Sequence, residues 1–232
     1  MKLGLFTDSH YCSKEVVMGN RYPVQSLRKI DEAVKCFVEE KCDLIICLGD
    51  VIDSEPTRQL EEENLRAVAK ILKDSGIPAV VLMGNHDADV FTQDAFYAIL
   101  GENCRPKDFS ADGKRFVFVD GCHSSDGSHY APGKVCWYDS CYPYPQELAK
   151  RLQEANEPVH LFMHQIVLPD VSEKHMLCNA QEIRKVITES GKVDCVYHGH
   201  YHLGYKGVLD GVKYLIPKAV CMHENAACIV EI

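Results

Sequence analysis

The chain has 232 residues, with 34 Asp and Glu against 25 Lys and Arg and a formal net charge of −9. That length can bury a sizeable core without disulfide staples, and one α/β domain covering residues 1–232 is the simplest expectation. An acidic excess with no run of Lys or Arg argues against long nucleic acid as a partner. The apolar start at residues 1–6 is too short for a signal core and no run approaches spanning length, so the expected compartment is the cytoplasm, with no membrane partner.

Apolar runs with the length and composition of buried strands occupy residues 2–7, 43–48, 79–83, 116–119, 159–163 and 193–197. After the first, Val24, Leu27, Ile30, Val34, Phe37 and Val38 keep the three-and-four spacing of a helix face, and after the second Leu65, Val68 and Leu72 do the same. Residues 121–144 lack periodicity and crowd Gly, Ser, Pro, Cys, Tyr and the one Trp. Such a segment is either a substrate-side loop or lid, or a surface excursion packed on itself. Ile183, Val186 and Ile187 mark a further helix, with Asn179 and Glu182 spaced as a capping box at its start. Residues 204–209 and 212–217 then flank Asp210-Gly211, a two-residue hairpin signal, and 227–232 adds a last strand. Alternating strand and helix predict an α/β fold with a buried sheet and an antiparallel ending. Twelve cysteines without a C-x-x-C pair predict reduced, mostly buried thiols, as Cys47 and Cys195 in strand runs illustrate. The redox state of Cys136 and Cys141, in the irregular stretch, is left open.

Polar clusters follow the apolar runs. Asp8-Ser9-His10 follows the first, Gly49-Asp50-Val51-Ile52-Asp53 the second and Gly84-Asn85-His86-Asp87 the third; His164 closes the fifth and Gly199-His200-Tyr201-His202 follows the sixth. Residues just past the carboxyl ends of neighbouring strands converge on one crevice in an open α/β sheet. Carboxylate, carboxamide and imidazole together suit divalent manganese, iron or zinc, and a bridging carboxylate can hold two ions about 3.5 to 4 Å apart. Without metal, clustered acids and imidazoles would carry a desolvation and repulsion cost that a core rarely tolerates.

These motifs, in order D-x-H, G-D-x-x-D, G-N-H-D, a lone H and G-H-x-H over residues 8–202, resemble those of the calcineurin-like metallophosphoesterase superfamily. The resemblance implies a four-layer α-β-β-α sandwich of two mixed sheets. It implies one ion on Asp8, His10 and His202, a second on Asn85, His164 and His200, and Asp50 between them. His86, with Asn85, would contact the phosphate, and His86 would protonate the leaving oxygen, oriented by Asp53. Asp53 can also be read as an acid at a helix N-terminus. The implied chemistry is attack by a metal-bridging hydroxide on a phosphate ester without a phospho-enzyme. Ser9, between two ligands and without a base, reads as a spacer, and His198 as a neighbour outside the site.

The first hundred residues look most like the branch of class III cyclic-nucleotide phosphodiesterases and manganese-dependent ADP-ribose or CDP-alcohol pyrophosphatases, and Asn20-Arg21-Tyr22 followed by Ser26-Leu27 and an amphipathic helix resembles a segment near the start of the latter group. That likeness implies a small phosphodiester or nucleotide-type diphosphate as substrate, with Arg21 a candidate contact and otherwise a surface arginine. The expected cofactors are two divalent ions, manganese first, with iron, zinc or cobalt as alternatives. A phosphomonoesterase on the same core, a non-catalytic scaffold and a DNA nuclease are the rival readings; intact ligands argue against the scaffold, and the acidic charge against the nuclease. Oligomeric state is not read from the sequence.

Overall fold

Three short parallel strands, β1 (Lys2–Phe6), β2 (Leu44–Cys47) and β3 (Ala79–Val81), form one sheet, with β10 (Cys228–Glu231) antiparallel to β1 on its other side. The computed structural model describes residues 1–169 and 171–232. A second sheet has the order β4 (Phe109–Ala111), β5 (Lys114–Val119), β6 (Val159–Met163), β7 (Val193–His198), β9 (Val212–Ile216) and β8 (Tyr205–Leu209). In it β5, β6, β7 and β9 run parallel, and β4 and β8 are antiparallel edges. Both sheets are therefore mixed. Helices α1 (Ser26–Glu39), α2 (Arg58–Asp74), α5 (Pro145–Glu154) and α6 (Ala180–Ser190) supply the crossovers β1–β2, β2–β3, β5–β6 and β6–β7, while α3 (Asn85–Val90) and α4 (Gln93–Leu100) lead from the first sheet to the second and β8 joins β7 to β9.

Period-two alternation along each strand builds the layers. Leu3, Leu5, Leu44, Ile46 and Val80 point between the sheets, against Phe116, Phe118, Phe162 and Tyr197. There the rings of Phe116 and Phe162 lie 5.8 Å apart and those of Phe162 and Tyr197 4.6 Å apart, nearly parallel, as a ladder across β5, β6 and β7. The alternate residues Phe6, Ile45, Cys47 and Val81 face outward onto Ile30, Val34 and Phe37 of α1, Leu65, Val68 and Leu72 of α2, and Phe96 of α4. On the far side Val117, Leu161, Met163 and Val196 meet Leu148 and Leu152 of α5 and Ile183 and Ile187 of α6. The result is the α-β-β-α sandwich. Each fully buried Leu, Ile or Phe contributes at most about 1.5 to 3 kcal/mol, so the middle layer alone fixes the two sheets face to face.

Several expectations are corrected. The antiparallel ending is divided between the sheets: the hairpin β8–β9 joins the second, whereas β10 pairs with β1 in the first. Val24 and Val38, placed on the helix face, are exposed; Val24 belongs to a 3-10 turn at Pro23–Gln25 that rotates it away. Asn179 precedes α6 but makes no side-chain cap. Its amide instead accepts from the Tyr142 backbone N–H at 3.2 Å and donates to the Tyr142 carbonyl at 2.7 Å, a tertiary pairing that replaces the local one. The edge strand β4 and the helices α3, α4 and α5 are additions to the elements expected from the sequence. Residues 121–144 do pack on themselves: the backbones of Cys122 and Cys141 pair as a short β-bridge, and the Tyr130 hydroxyl donates to the Cys136 carbonyl at 2.8 Å. All twelve thiols are free, and Cys136 is exposed while Cys141 is buried. Among the described residues no helix is long and apolar enough to cross a membrane.

Candidate metal centre

Every motif sits just beyond the carboxyl end of a parallel strand, and backbone hydrogen bonds knit the loops together. The N–H of Asp8 donates to Gly49 O at 3.0 Å, that of His10 to Asp50 O at 2.9 Å, and that of Gly199 to His164 O at 3.0 Å. Such close approach leaves little room for side chains. A Cβ on Gly84 would lie 2.2 Å from Asp50 Oδ1, and Gly49 has φ +102° with His164 against its missing side chain. Four of the seven expected ligands, Asp8, His10, Asp50 and His200, have φ between +45° and +64°. Left-handed backbone at non-glycine residues costs on the order of 1 to 3 kcal/mol each and persists where surrounding structure over-determines it, typically at functional sites.

The side chains converge. His202 Nε2 lies 3.2 Å from Asp8 Oδ1 and 3.2 Å from His10 Nε2. Asp50 Oδ2 lies 3.2 Å from His164 Nε2 and 3.6 Å from His10 Nε2. Two groups whose ligand atoms all lie within 4.8 Å of one another, one of His10, Asp50 and His86 and the other of Asp50, His164 and His200, share Asp50. Asp8 is oriented by the Thr7 hydroxyl at 2.6 Å and the His200 N–H at 2.9 Å. His164 Nδ1 donates to the Leu48 carbonyl at 2.7 Å, so Nε2 is the nitrogen that carries the lone pair whenever the ring is neutral. Among the described residues the buried Nε2 atoms of His164 and His200 and Oδ1 of Asn85 have no hydrogen-bond partner. Orphaned buried acceptors are costly unless a cation completes them, so this donor set fits divalent metal.

The electrostatics agree. Burial should raise the carboxyls of Asp8 and Asp50, yet the His202 charge beside Asp8 and the His164 charge beside Asp50 hold both below the usual carboxylate range. Burial opposes charge on His164, but Asp50 lifts it to about 9. Burial and the neighbouring His86 push His10 down to about 3, and burial with His164 holds His200 well below the ordinary histidine value. The anionic pocket thus borrows protons on some imidazoles and denies them on others, a role that divalent cations take over.

His86 is partly exposed beside this cluster, its ring edge-on to His10 at 4.5 Å and its Nδ1 3.2 Å from Asp53 Oδ1. Burial works against its charge, but Asp50 and the hydrogen bond to Asp53 outweigh it and raise His86 to about 9. Asp53 is not a helix N-terminal acid: α2 starts at Arg58, capped by Thr57, which accepts from the Leu60 N–H. Ser9 donates to Val51 O at 2.6 Å, wholly buried, as a spacer would. His198 hydrogen-bonds the Gln165 carbonyl at 2.8 Å and stacks on Tyr214, outside the cluster. Arg21 closes a tight turn with Val17, and its charge works weakly against protonation of His86 and His175.

Three further residues were not singled out from the sequence. Asp87 accepts from the N–H groups of Val51 at 2.9 Å, Ile52 at 3.1 Å and Gly84 at 2.9 Å, tying the second motif to the third; its place in G-N-H-D was the available signal. Burial and the charge of Asp50 push Asp87 up to about 7 against those three donors. Trp137 and His175 stand at the mouth, their rings 5.7 Å apart and 6.0 and 5.1 Å from that of His200. The sequence marks the stretch 121–144, with its one Trp, as a substrate-side loop or a self-packed excursion, but nothing singles out Trp137 within it or marks His175 at all, because each lies on a short 3-10 turn that only tertiary packing brings inward.

Residues 1–204 match the model of the family described as calcineurin-like phosphoesterase. A probable cyclic nucleotide phosphodiesterase of Pseudoalteromonas sp. (strain SM9913) is 22% identical over 211 residues, covering 89% of this chain and 73% of that protein. The fold resembles that of a dimetal phosphatase from Danio rerio, with a TM-score of 0.83, 19% identity, and coverage of 98% of this chain and 91% of that one. A Thermus thermophilus protein is similar in fold at a TM-score of 0.65, with 14% identity over 95% of this chain and 90% of that one. With two mixed sheets in four layers and acids and imidazoles gathered at the strand ends, this chain belongs to the calcineurin-like phosphoesterase family and is a metal-dependent phosphoesterase.

Proposed function

We propose that the chain, working as one domain, hydrolyses a small phosphodiester or nucleotide-type diphosphate at two divalent ions, one on Asp8, His10 and His202, the other on Asn85, His164 and His200, with Asp50 between them. The observation that carries this reading is the gathering of Asp50 with the buried Nε2 atoms of His164 and His200, beside which Asn85 buries an unpartnered Oδ1 on the adjoining motif. The bound ions, manganese foremost, would supply Lewis-acid charge and an activated water. The chain itself positions and protonates. Asp53 holds His86 by its Nδ1, leaving Nε2 to hand a proton to the departing oxygen. Arg21 and Asn85 meet the anionic phosphate. The aromatic wall of Trp137 and His175 supports a substrate-side role for residues 121–144, which contribute Trp137, and favours a leaving group with a flat ring over a simple monoester.

The test is reconstitution. Chelator-stripped protein should regain hydrolysis with manganese, and a panel of cyclic and linear diesters, diphosphates and monoesters should rank diesters or diphosphates first. Undiminished hydrolysis after exhaustive chelation would sink the two-metal reading, and a monoester at the head of the ranking would replace the substrate class. Asp50→Ala should lose both ions and at least about 10³-fold in kcat/KM, more than removal of one electrostatic donor usually costs. Retention of both ions at normal occupancy by that variant would remove Asp50 from the bridge.

A further inference from the structure

Beyond the seven family positions, a sulfur atom lies at the same centre. The Sγ of Cys221 and the ligand nitrogens of His10 and His202 all fall within 4.8 Å of one another. For tetrahedral zinc, bonds of about 2.1 Å to nitrogen and 2.3 Å to sulfur put the two donors about 3.6 Å apart, so side-chain movements of about 1 Å bring these three atoms onto one ion. The sulfur is held there by main chain. Cys221 N–H donates to Asp8 O at 3.1 Å, its carbonyl accepts from Tyr22 N–H at 2.7 Å, and the buried Lys29 ammonium donates to the preceding Val220 carbonyl at 3.2 Å. Its side chain is fully buried. Among the described residues its thiol has no hydrogen-bond acceptor, whereas those of Cys104 and Cys122 donate to carbonyls at 3.7 and 3.4 Å.

We propose that Cys221 is a sulfur ligand of the ion held by Asp8, His10 and His202. This rests on the two-ion reading above and makes the two halves of the centre chemically unequal. When the ion binds, the thiol proton leaves to solvent and the sulfur lone pair enters the coordination shell, with no change of oxidation state. A soft donor biases that half toward zinc, iron or cobalt, while Asn85, His164 and His200, with no sulfur, leave the other half open to manganese.

The experiment uses the full chain stripped by chelator and titrated with cobalt(II). One equivalent should bring in a near-ultraviolet thiolate-to-cobalt charge-transfer band, and the second should add none. Cys221→Ser should take up cobalt without the band, while Cys36→Ser, which removes an exposed thiol, keeps it. Zinc affinity of Cys221→Ser should fall by about 10- to 100-fold, the range seen when a tuning partner of a metal ligand is lost, with manganese affinity little changed. Cadmium-113 NMR of the unmodified chain, independent of how well any variant folds, should give one resonance displaced downfield by sulfur and one in the nitrogen and oxygen range. Two bound cobalt ions without the band, a band that survives in Cys221→Ser, or two cadmium signals both in the nitrogen and oxygen range would overturn the sulfur ligand alone. A chain that takes up no metal would overturn the two-ion reading and the sulfur ligand with it.

Discussion

Asp8, Asp50, Asn85, His164 and His200 stand a few residues beyond buried parallel strands, whereas Trp137 and His175 stand on 3-10 turns at Trp137–Asp139 and Glu173–His175. The floor of the centre is positioned by ladders and by backbone bonds between loops; the mouth is positioned by side-chain packing, such as the Ser172 hydroxyl against His175 Nδ1 at 2.6 Å. The difference separates two jobs. On the proposed reading, chemistry is fixed where the backbone has least freedom, and substrate choice falls to side chains that can change without disturbing the sheets.

The largest effect that should distinguish floor from mouth is at His86. Removing a positioned general acid costs about 10² to 10⁴ in rate, and the loss concentrates on poor leaving groups. His86→Ala should keep both ions and lose far more kcat/KM on a nucleoside ester than on a nitrophenyl ester. Equal losses on both, with metal content unchanged, would reduce His86 to an electrostatic contact. The next effect is on stability. Asp87→Ala strands three buried N–H donors at about 1 to 3 kcal/mol each, so a loss of at least about 3 kcal/mol is expected in denaturant titration. A stable variant with an altered substrate ranking would instead assign Asp87 to the mouth.

A third measurement checks that a buried histidine far from the centre behaves as scaffold. His160, on β6 between the sheets, is pushed down to about 4 by burial, while the unfolded chain titrates near 6.5. The unfolded state therefore takes up the proton first. Stability should hold above pH 6.5, fall as pH drops toward 4, and at pH 5 be lower by about 2 kcal/mol on this account. His160→Phe should flatten that slope without changing metal content; an unchanged slope would place the acid sensitivity elsewhere. The smallest effect belongs to the mouth. Trp137→Ala should raise KM for substrates with a flat leaving group by about 2- to 10-fold, the equivalent of one aromatic contact of about 0.5 to 1.5 kcal/mol, with metal content untouched. A uniform change across all substrates would leave the self-packing of residues 121–144 as their whole role.

The floor was legible because polar residues interrupt apolar runs at the point where a strand must end, as Asp8 does after Phe6 and His164 after Met163. The mouth was not, since Trp137 and His175 reach the centre through turns without periodicity. Cys221 was hidden for another reason: it belongs to a return segment docked by Ala219 N–H on His202 O and Val220 N–H on Thr7 O, contacts between residues far apart in the chain. The helix α5 had its pattern in Pro145, Leu148 and Leu152, but ten residues give few repeats to read against an irregular approach. Asn179 carried the right spacing for a cap and the wrong partner. Its amide found two backbone groups of Tyr142, which bind it better than one local N–H could.

Strand β1 lies between β2 and β10, paired on one side with its near neighbour and on the other with residues almost a full chain length away. During synthesis the early strands can pair as soon as their crossover helix is made, but one flank of β1 stays open until β10 emerges. Closing that flank carries a large loop-closure entropy and makes it a late, slow contact. Asp8 hangs from β1, and its partners His200 and His202 arrive only after β7. A ribosome-bound chain therefore cannot gather the proposed ligand set from the first half of this sequence, and capture of metal at that set would record that synthesis has passed β7 and that both sheets have come together.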